Sequence, residues 1–207
     1  MGKTYDRIDG RLRDFIERQP VFFVATAPLT GDGHVNLSPK GRAGSFAVLD
    51  EQTFAYVDFG GSSAETIAHL RENGRITVMW CAFDGPPTIV RVHGRGEPVF
   101  RDDPRWTELV GRFAEGGSPS ARAVIVVTAE RISDSCGFAV PRMEYQDERT
   151  LHAEYFGRKT DTEFNAYCES KDYVGVSLDG LPALPLPLPA RRDLTEVGDD
   201  VSNPRRR

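Results

Sequence analysis

The sequence predicts a mainly β protein, an antiparallel barrel or sandwich with a few peripheral helices. Three observations carry this. About six or seven segments are rich in Val, Ile, Thr and aromatic residues. Most are joined by short linkers with turn signals such as Asp32-Gly33 and Gly85-Pro86-Pro87. The helical patterns are short and do not alternate with the strands as a doubly wound parallel sheet requires.

Ile8, Leu12, Phe15 and Ile16 recur at helical spacing, which predicts a helix over 7–18 that Pro20 ends. Residues 21–27 read as a strand and 28–33 as its turn. Residues 34–40 resume extended structure to complete a hairpin. A second hairpin is expected from 45–49 and 53–58 around Asp50-Glu51. Ser62-x-x-Glu65 has the form of a capping box, so a helix is expected over 62–73 with Gly74 at its stop. Residues 75–82 and 88–99 are long β-rich stretches. A helix is expected over 103–114, with Pro104 in its first turn, and a further strand over 122–132. Beyond Pro141 the chain turns polar. Spaced anchors such as Leu151, Tyr155, Phe164 and Tyr167 suggest two helices within 147–171, interrupted near Gly157. Residues 181–189 alternate Pro with Leu and Ala, as an extended arm would.

The chain of 207 residues has 39% hydrophobic and 28% charged residues, an ordinary soluble mixture that fits one sizeable domain. Its net charge of −5 gives no footprint for nucleic acid, and no apolar run is long enough to span a bilayer. No secretory signal core follows Met1. Cys81, Cys136 and Cys168 are odd in number and far apart, so neither a disulfide framework nor a zinc site is expected, and the cytoplasm is the simplest compartment.

Four constellations could carry chemistry. Period two puts Asn36, Ser38 and Lys40 on one face of their strand, opposite Val35 and Leu37. Three polar groups there suit a pocket wall, with Lys40 holding an anion or an electron-rich ring edge. They equally suit a strand whose polar face meets water. Asp58-Phe59-Gly60-Gly61-Ser62-Ser63 ends a strand at the start of a helix, where free N–H groups and the hydroxyls of Ser62, Ser63 and Thr66 suit a phosphate. Against this, Glu65 in the first turn repels an anion. Arg91 and His93 share a face opposite Val90 and Val92, and a guanidinium there suits a phosphate or water. Cys136 before Gly137 reads as a buried inert thiol or as a neighbour of a cofactor. No nucleophile elbow, metal-ligand spacing or dinucleotide fingerprint is present, and no catalytic acid or base stands out.

In order and spacing, these segments resemble the pyridoxamine 5′-phosphate oxidase-like, FMN-binding split-barrel family over roughly residues 7–135. The resemblance rests on the N-terminal helix, Val21-Phe22-Phe23-Val24-Ala25-Thr26, the strand ending at Lys40, and the Gly/Ser turn before Glu65-Thr66. Asn73-Gly74-Arg75 and Arg91-Val92-His93-Gly94 complete it. It implies a six-stranded antiparallel split β-barrel with flanking helices, and a homodimer with flavin sites at its interface. It places Lys40 near the flavin, Ser62, Ser63 and Thr66 near the FMN phosphate, and Arg91 on the strand that closes the pocket. Asn36, Ser38, Asp58 and Phe59 complete the expected cofactor-binding set. The implied domain spans residues 1–145. A helical extension and Pro-rich arm over 146–189 would pack on the barrel or on a partner subunit, and 190–207 would form a flexible tail.

Where vitamin-processing members carry Ser-Arg-Lys, this chain reads Ala64-Glu65-Thr66. The family's C-terminal substrate elements are absent too. The resemblance therefore implies an FMN-dependent oxidoreductase acting on another small organic substrate. The missing basic clamp leaves a deazaflavin reductase as an alternative on the same barrel. Non-catalytic flavin or haem binding is the other, with His34, His69, His93 and His152 as possible haem ligands.

Overall fold

The computed structural model describes residues 2–61 and 63–189. Eight strands form one curled antiparallel sheet. They are β1 (Thr4–Tyr5), β2 (Val21–Thr26), β3 (Asn36–Gly41), β4 (Phe46–Val48), β5 (Thr53–Phe59), β6 (Arg75–Cys81), β7 (Thr88–Val99) and β8 (Ala121–Cys136). The order is β3-β2-β6-β7-β8-β5-β4, with β1 added beside β8. The six strands implied by the resemblance thus become eight: β4 is the first strand of the expected second hairpin, and the short β1 was not anticipated. The two ends of this path, β3 and β4, are consecutive in the chain and share no ladder, so the barrel is split between them.

The helices are α1 (Gly10–Glu17), α2 (Glu65–Asn73), α3 (Trp106–Val110), α4 (Leu151–Gly157), α5 (Asp161–Glu169) and α6 (Asp172–Gly175). Asp9 caps α1 by accepting from the Leu12 N–H, which starts the helix later than its apolar pattern does. α2 opens at Glu65 on Ala64, which makes no side-chain cap. The expected partner in that cap, Ser62, lies outside the described residues. Glu65 accepts from the Leu178 N–H at 2.9 Å instead. Gly74 ends α2 with φ 70°, a left-handed stop that glycine adopts without penalty. The helix expected over 103–114 contracts to α3. Asp103 takes the Arg105 N–H in a local turn at 2.8 Å, and this competes with helical pairing. α4 and α5 flank the break near Gly157, while α6 was not anticipated.

Alternation divides the sheet into two faces. The concave face buries Phe22, Val24, Phe54, Tyr56, Trp80, Val90, Val92, Ile125 and Val127 in the main core, with Leu12 and Ile16 of α1 and Ile67 of α2. A second cluster on the other face joins Ala55, Val57, Ala121 and Val124 to Trp106 and Val110 of α3.

The C-terminal extension adds Phe156, Phe164, Cys168, Val174, Leu184 and Leu188 to the main core of the same chain. Gly60 permits this junction, since a Cβ there would sit 2.6 Å from the Phe164 ring. The Pro-Leu arm is tied down by Asn165, which donates to the Leu188 carbonyl at 3.1 Å and accepts from its N–H at 2.9 Å. The expected tail over 190–207 lies outside the described residues.

Candidate functional site

The split in the barrel opens into a cleft of about 1600 Å³. The end of α1, the facing ends of β3 and β4, the end of β5 and the segment 142–149 line it. Phe22, Phe46 and Trp80 form an aromatic floor, with ring centroids 5.4 to 5.9 Å apart. The 138–150 segment has no regular secondary structure and runs along the cleft mouth. The Met143 N–H holds it by bonding the Phe83 carbonyl at 3.0 Å, and Glu148 does so by accepting from the Ala43 N–H at 3.2 Å.

Where β3 meets β5 across the split, two cations share one carboxylate. Lys40 Nζ lies 3.4 Å from Asp58 Oδ2, and Arg122 Nε donates to Asp58 Oδ1 at 2.6 Å. Arg122 Nη2 donates to the Ser63 carbonyl at 2.6 Å. The Asp58 and Arg122 side chains are 2% and 3% exposed, whereas Lys40 at 25% reaches toward solvent. Burial pushes the Asp58 carboxyl up, but Arg122 and then Lys40 outweigh it and hold the group below the ordinary carboxylate range. The trio carries one net positive charge. Arg122 Nη1 is buried without a hydrogen-bond partner, and Arg122 lines the cleft.

A bulge produces this meeting. The β5–β8 register pairs Asp58 with Ala123 but Phe59 with Ala121, so Arg122 is the extra residue. Regular alternation would turn Arg122 to the face of Val124. The bulge swings it to the face of Asp58 and leaves Ala121 beside Val124.

Asn36, Ser38 and Thr66 gather in a second group. Asn36 Nδ2 donates to Thr26 Oγ1 and to Thr66 Oγ1, both at 3.1 Å. Ser38 Oγ donates to Asn36 Oδ1 at 2.8 Å. Thr26 Oγ1 is 3.0 Å from His69 Nδ1, and His69 is fully buried. Only Ser38 of this group lines the cleft. The polar face of β3 therefore turns inward, while Val35 and Leu37 are exposed.

Phe59 forms a third group at the mouth. The Arg42 guanidinium lies 4.8 Å from its ring centroid, 2.6 Å from Glu115 Oε2 and 3.3 Å from His152 Nδ1. His152 Nε2 donates to the Gly60 carbonyl at 2.8 Å, which joins α4 to the cleft. Arg42 has φ 91°, left-handed backbone that a side chain disfavours, and these contacts hold it there.

The remaining expected residues fall elsewhere. Arg91 lies on the face of β7 turned away from the main core, donates to Ser135 Oγ at 3.0 Å and does not line the cleft. Ser63 is the exception: it lines the cleft, and its carbonyl accepts from Arg122 Nη2. Thr66 is buried, and the Glu65 carboxylate sits in the first turn of α2 under Leu178. Cys136 is exposed, which corrects the expectation of a buried thiol. His34 pairs with Asp179 at 2.7 Å, and His93 is exposed on β7. The sequence does not single out Arg122, Thr26 or Arg42 for a cofactor site, and it offers His69 and His152 only as possible haem ligands. The sequence signal for Arg122 is a lone cation beside an apolar run (Ala123-Val124-Ile125-Val126-Val127), a position that demands a partner.

Fold and cleft together define a split-barrel protein whose open seam is floored with aromatic rings and lined with cations. The chain belongs to the pyridoxamine 5′-phosphate oxidase family, whose model matches residues 8–136. The pyridoxamine 5′-phosphate oxidase family protein ustO of Aspergillus flavus is 47% identical over 192 residues, covering 87% of this chain and 77% of that protein. That alignment is longer than the family match, so it takes in part of the extension beyond residue 136 as well. In fold, the chain is similar to a crystal structure of a HupZ variant from Group A Streptococcus. The TM-score is 0.50 and the identity 24%, over 62% of this chain and 99% of that one. No helix among the described residues is long and apolar enough to cross a membrane.

Proposed function

We propose that this protein is an FMN-dependent oxidoreductase that binds its flavin in the split of the barrel and acts on a small organic substrate. The carrying observation is the Lys40–Asp58–Arg122 trio, with its net positive charge and a buried guanidinium N–H left unpaired. An unsatisfied buried donor is costly, and an anionic or carbonyl-rich ligand edge would satisfy it. Phe46 and Phe59 supply apolar surface for a planar ring, with the buried Trp80 packed behind Phe46, and Arg142 and Arg149 at the mouth supply cations for a phosphate. The residues present therefore fit FMN.

The bound flavin would supply the two-electron chemistry. Lys40 and Arg122 would hold the ring edge on which negative charge gathers upon reduction. Asp58 keeps both cations in place and limits their charge to one net unit. Arg42, braced by Glu115 and His152, holds Phe59 as a wall, and the 138–150 segment restricts water at the mouth. Exposed Leu37 on the edge strand β3 and Val35 just before it, with Phe138, Met143 and Tyr145, are apolar surface of the kind a second copy covers, which supports a homodimer.

The test is an FMN titration followed by absorbance and flavin fluorescence, with light scattering on the same sample. Binding at roughly micromolar concentration, weakened about tenfold or more in Lys40→Met, is expected. The mass should be twice that of the chain. No spectral change on adding FMN would exclude the flavin reading, and a monomer that binds FMN undiminished would remove the second subunit from the site.

A further inference from the structure

The hydrogen bonds behind Ser38 have a direction, and the far end of the chain sets it. Glu65 Oε1 accepts from the Leu178 N–H at 2.9 Å, as a carboxylate does. Its Oε2 faces His69 Nε2 at 3.9 Å, and that buried nitrogen has no hydrogen-bond partner. A carboxylate beside Nε2 favours the tautomer that carries its proton there. His69 Nδ1 is then the acceptor, so the Thr26 hydroxyl donates to it across 3.0 Å. With its hydrogen committed, Thr26 Oγ1 can only accept from Asn36, and this turns the Asn36 amide so that Nδ2 faces Thr26 and Thr66. Asn36 Oδ1 is left facing Ser38, whose hydroxyl donates to it at 2.8 Å. The Ser38 hydrogen is thereby spent inside the protein, and only lone pairs face the cleft.

We infer that Ser38 is a hydrogen-bond acceptor of fixed polarity in the cleft and that it receives the imide N–H of the isoalloxazine ring. The second half of this inference rests on the flavin reading given above. An ordinary serine rotates to serve donors and acceptors alike, and a ribityl hydroxyl can play either part. A serine locked as an acceptor selects for an obligate donor. The oxidised flavin ring has one such group, its imide N–H, and its other polar ring atoms accept. Ser38 lies two residues from Lys40 on the same face of β3, so one strand presents an acceptor and a cation in sequence. An imide N–H flanked by carbonyls has the complementary pattern. Thr26, Asn36 and His69 are positioning residues here, since they act only through Ser38.

Two measurements on the full chain test this. The first needs no ligand: long-range proton–nitrogen correlation on 15N-labelled protein, with the His69 signals identified by their loss in His69→Gln. A protonated Nε2 and a bare Nδ1 are expected, and the opposite tautomer would overturn the polarity of Ser38. The second compares dissociation constants for FMN and its 3-methyl analogue. In the wild type, methylation should weaken binding about tenfold. In Ser38→Ala, FMN itself should bind more weakly and the two ligands should differ by less than about twofold. Thr26→Val, which frees the Asn36 amide to turn, should narrow the gap as well, and it serves where Ser38→Ala perturbs folding. Equal affinities in the wild type, or undiminished discrimination in Ser38→Ala, would overturn the imide assignment alone. Failure of both ligands to bind the wild type would remove it together with the flavin reading.

Discussion

Arg122 Nε lies 2.6 Å from Asp58 Oδ1, a buried ion pair between residues 64 positions apart. The pair exists because one extra residue in β8 reverses the face to which Arg122 points. Replacing Arg122 by Met should destabilise the fold by about 3 kcal/mol. That is the lower end of the range for stranding a buried charge, because Lys40 remains as a partner. Urea unfolding monitored by Trp fluorescence would measure it. Asp58→Asn combined with Arg122→Met should recover part of the loss, and strictly additive single effects would show that the two residues do not act as a pair.

The same pair sets an acid limb. The native-state Asp58 carboxyl titrates below its ordinary range, so its contribution is complete above the unfolded value near ~4 and is lost as pH falls through the lowered native value. Wild-type stability should therefore decline from about pH 4 downward, and Asp58→Asn should flatten that decline. Midpoints of urea unfolding between about pH 5 and pH 3 would reveal it. Equal slopes in the two proteins would assign the limb to other carboxylates.

Asp179 favours the charged form of His34, its carboxylate accepting from both the His34 Nδ1 and its backbone N–H. That side-chain hydrogen bond raises the His34 pKa, with the Asp179 charge adding to it. The charge-dependent part of this contact's stabilisation is thus complete below the ordinary histidine value and is lost as pH rises through the higher native one. A proton NMR titration should place His34 above ~6.5, and Asp179→Asn should return it there. An unchanged titration in the variant would dissociate the 177–181 turn from the β2–β3 hairpin.

Phe164 joins the C-terminal helices to the barrel. It is fully buried, stacks on Tyr167, and packs against Gly60 at the cleft. Phe164→Ala should cost about 3–5 kcal/mol. Far-ultraviolet dichroism and Trp fluorescence should still report one transition, because the extension and the barrel share one core. A separate early transition confined to helical signal would make the extension an independent unit.

Much of the barrel was legible in the sequence because local rules decide it. Alternation in Val21–Thr26 and Thr53–Phe59, the turn at Asp32-Gly33, and Gly74 at a helix stop each depend on a few neighbouring residues. β7 occupies the expected span of 88–99 without change. The misses have local competitors: the Asp103 turn that shortens α3, and the Asp9 cap that delays α1. β1 has two residues and pairs only with the far end of β8, so no periodicity announces it.

The sequence by itself determined that Asn36, Ser38 and Lys40 share one face of a strand, since a period of two admits no other arrangement. It could not say whether that face meets water or a cleft. The tertiary structure decided this by placing β3 at an edge of a split sheet, so that its polar side closes over the barrel mouth. The pairing of Arg122 with Asp58, the removal of Arg91 from the cleft and the chain from Ser38 to His69 were likewise decided there. Each depends on register between strands far apart in sequence. A single-residue bulge reverses the facing of a side chain without leaving a mark in the local pattern.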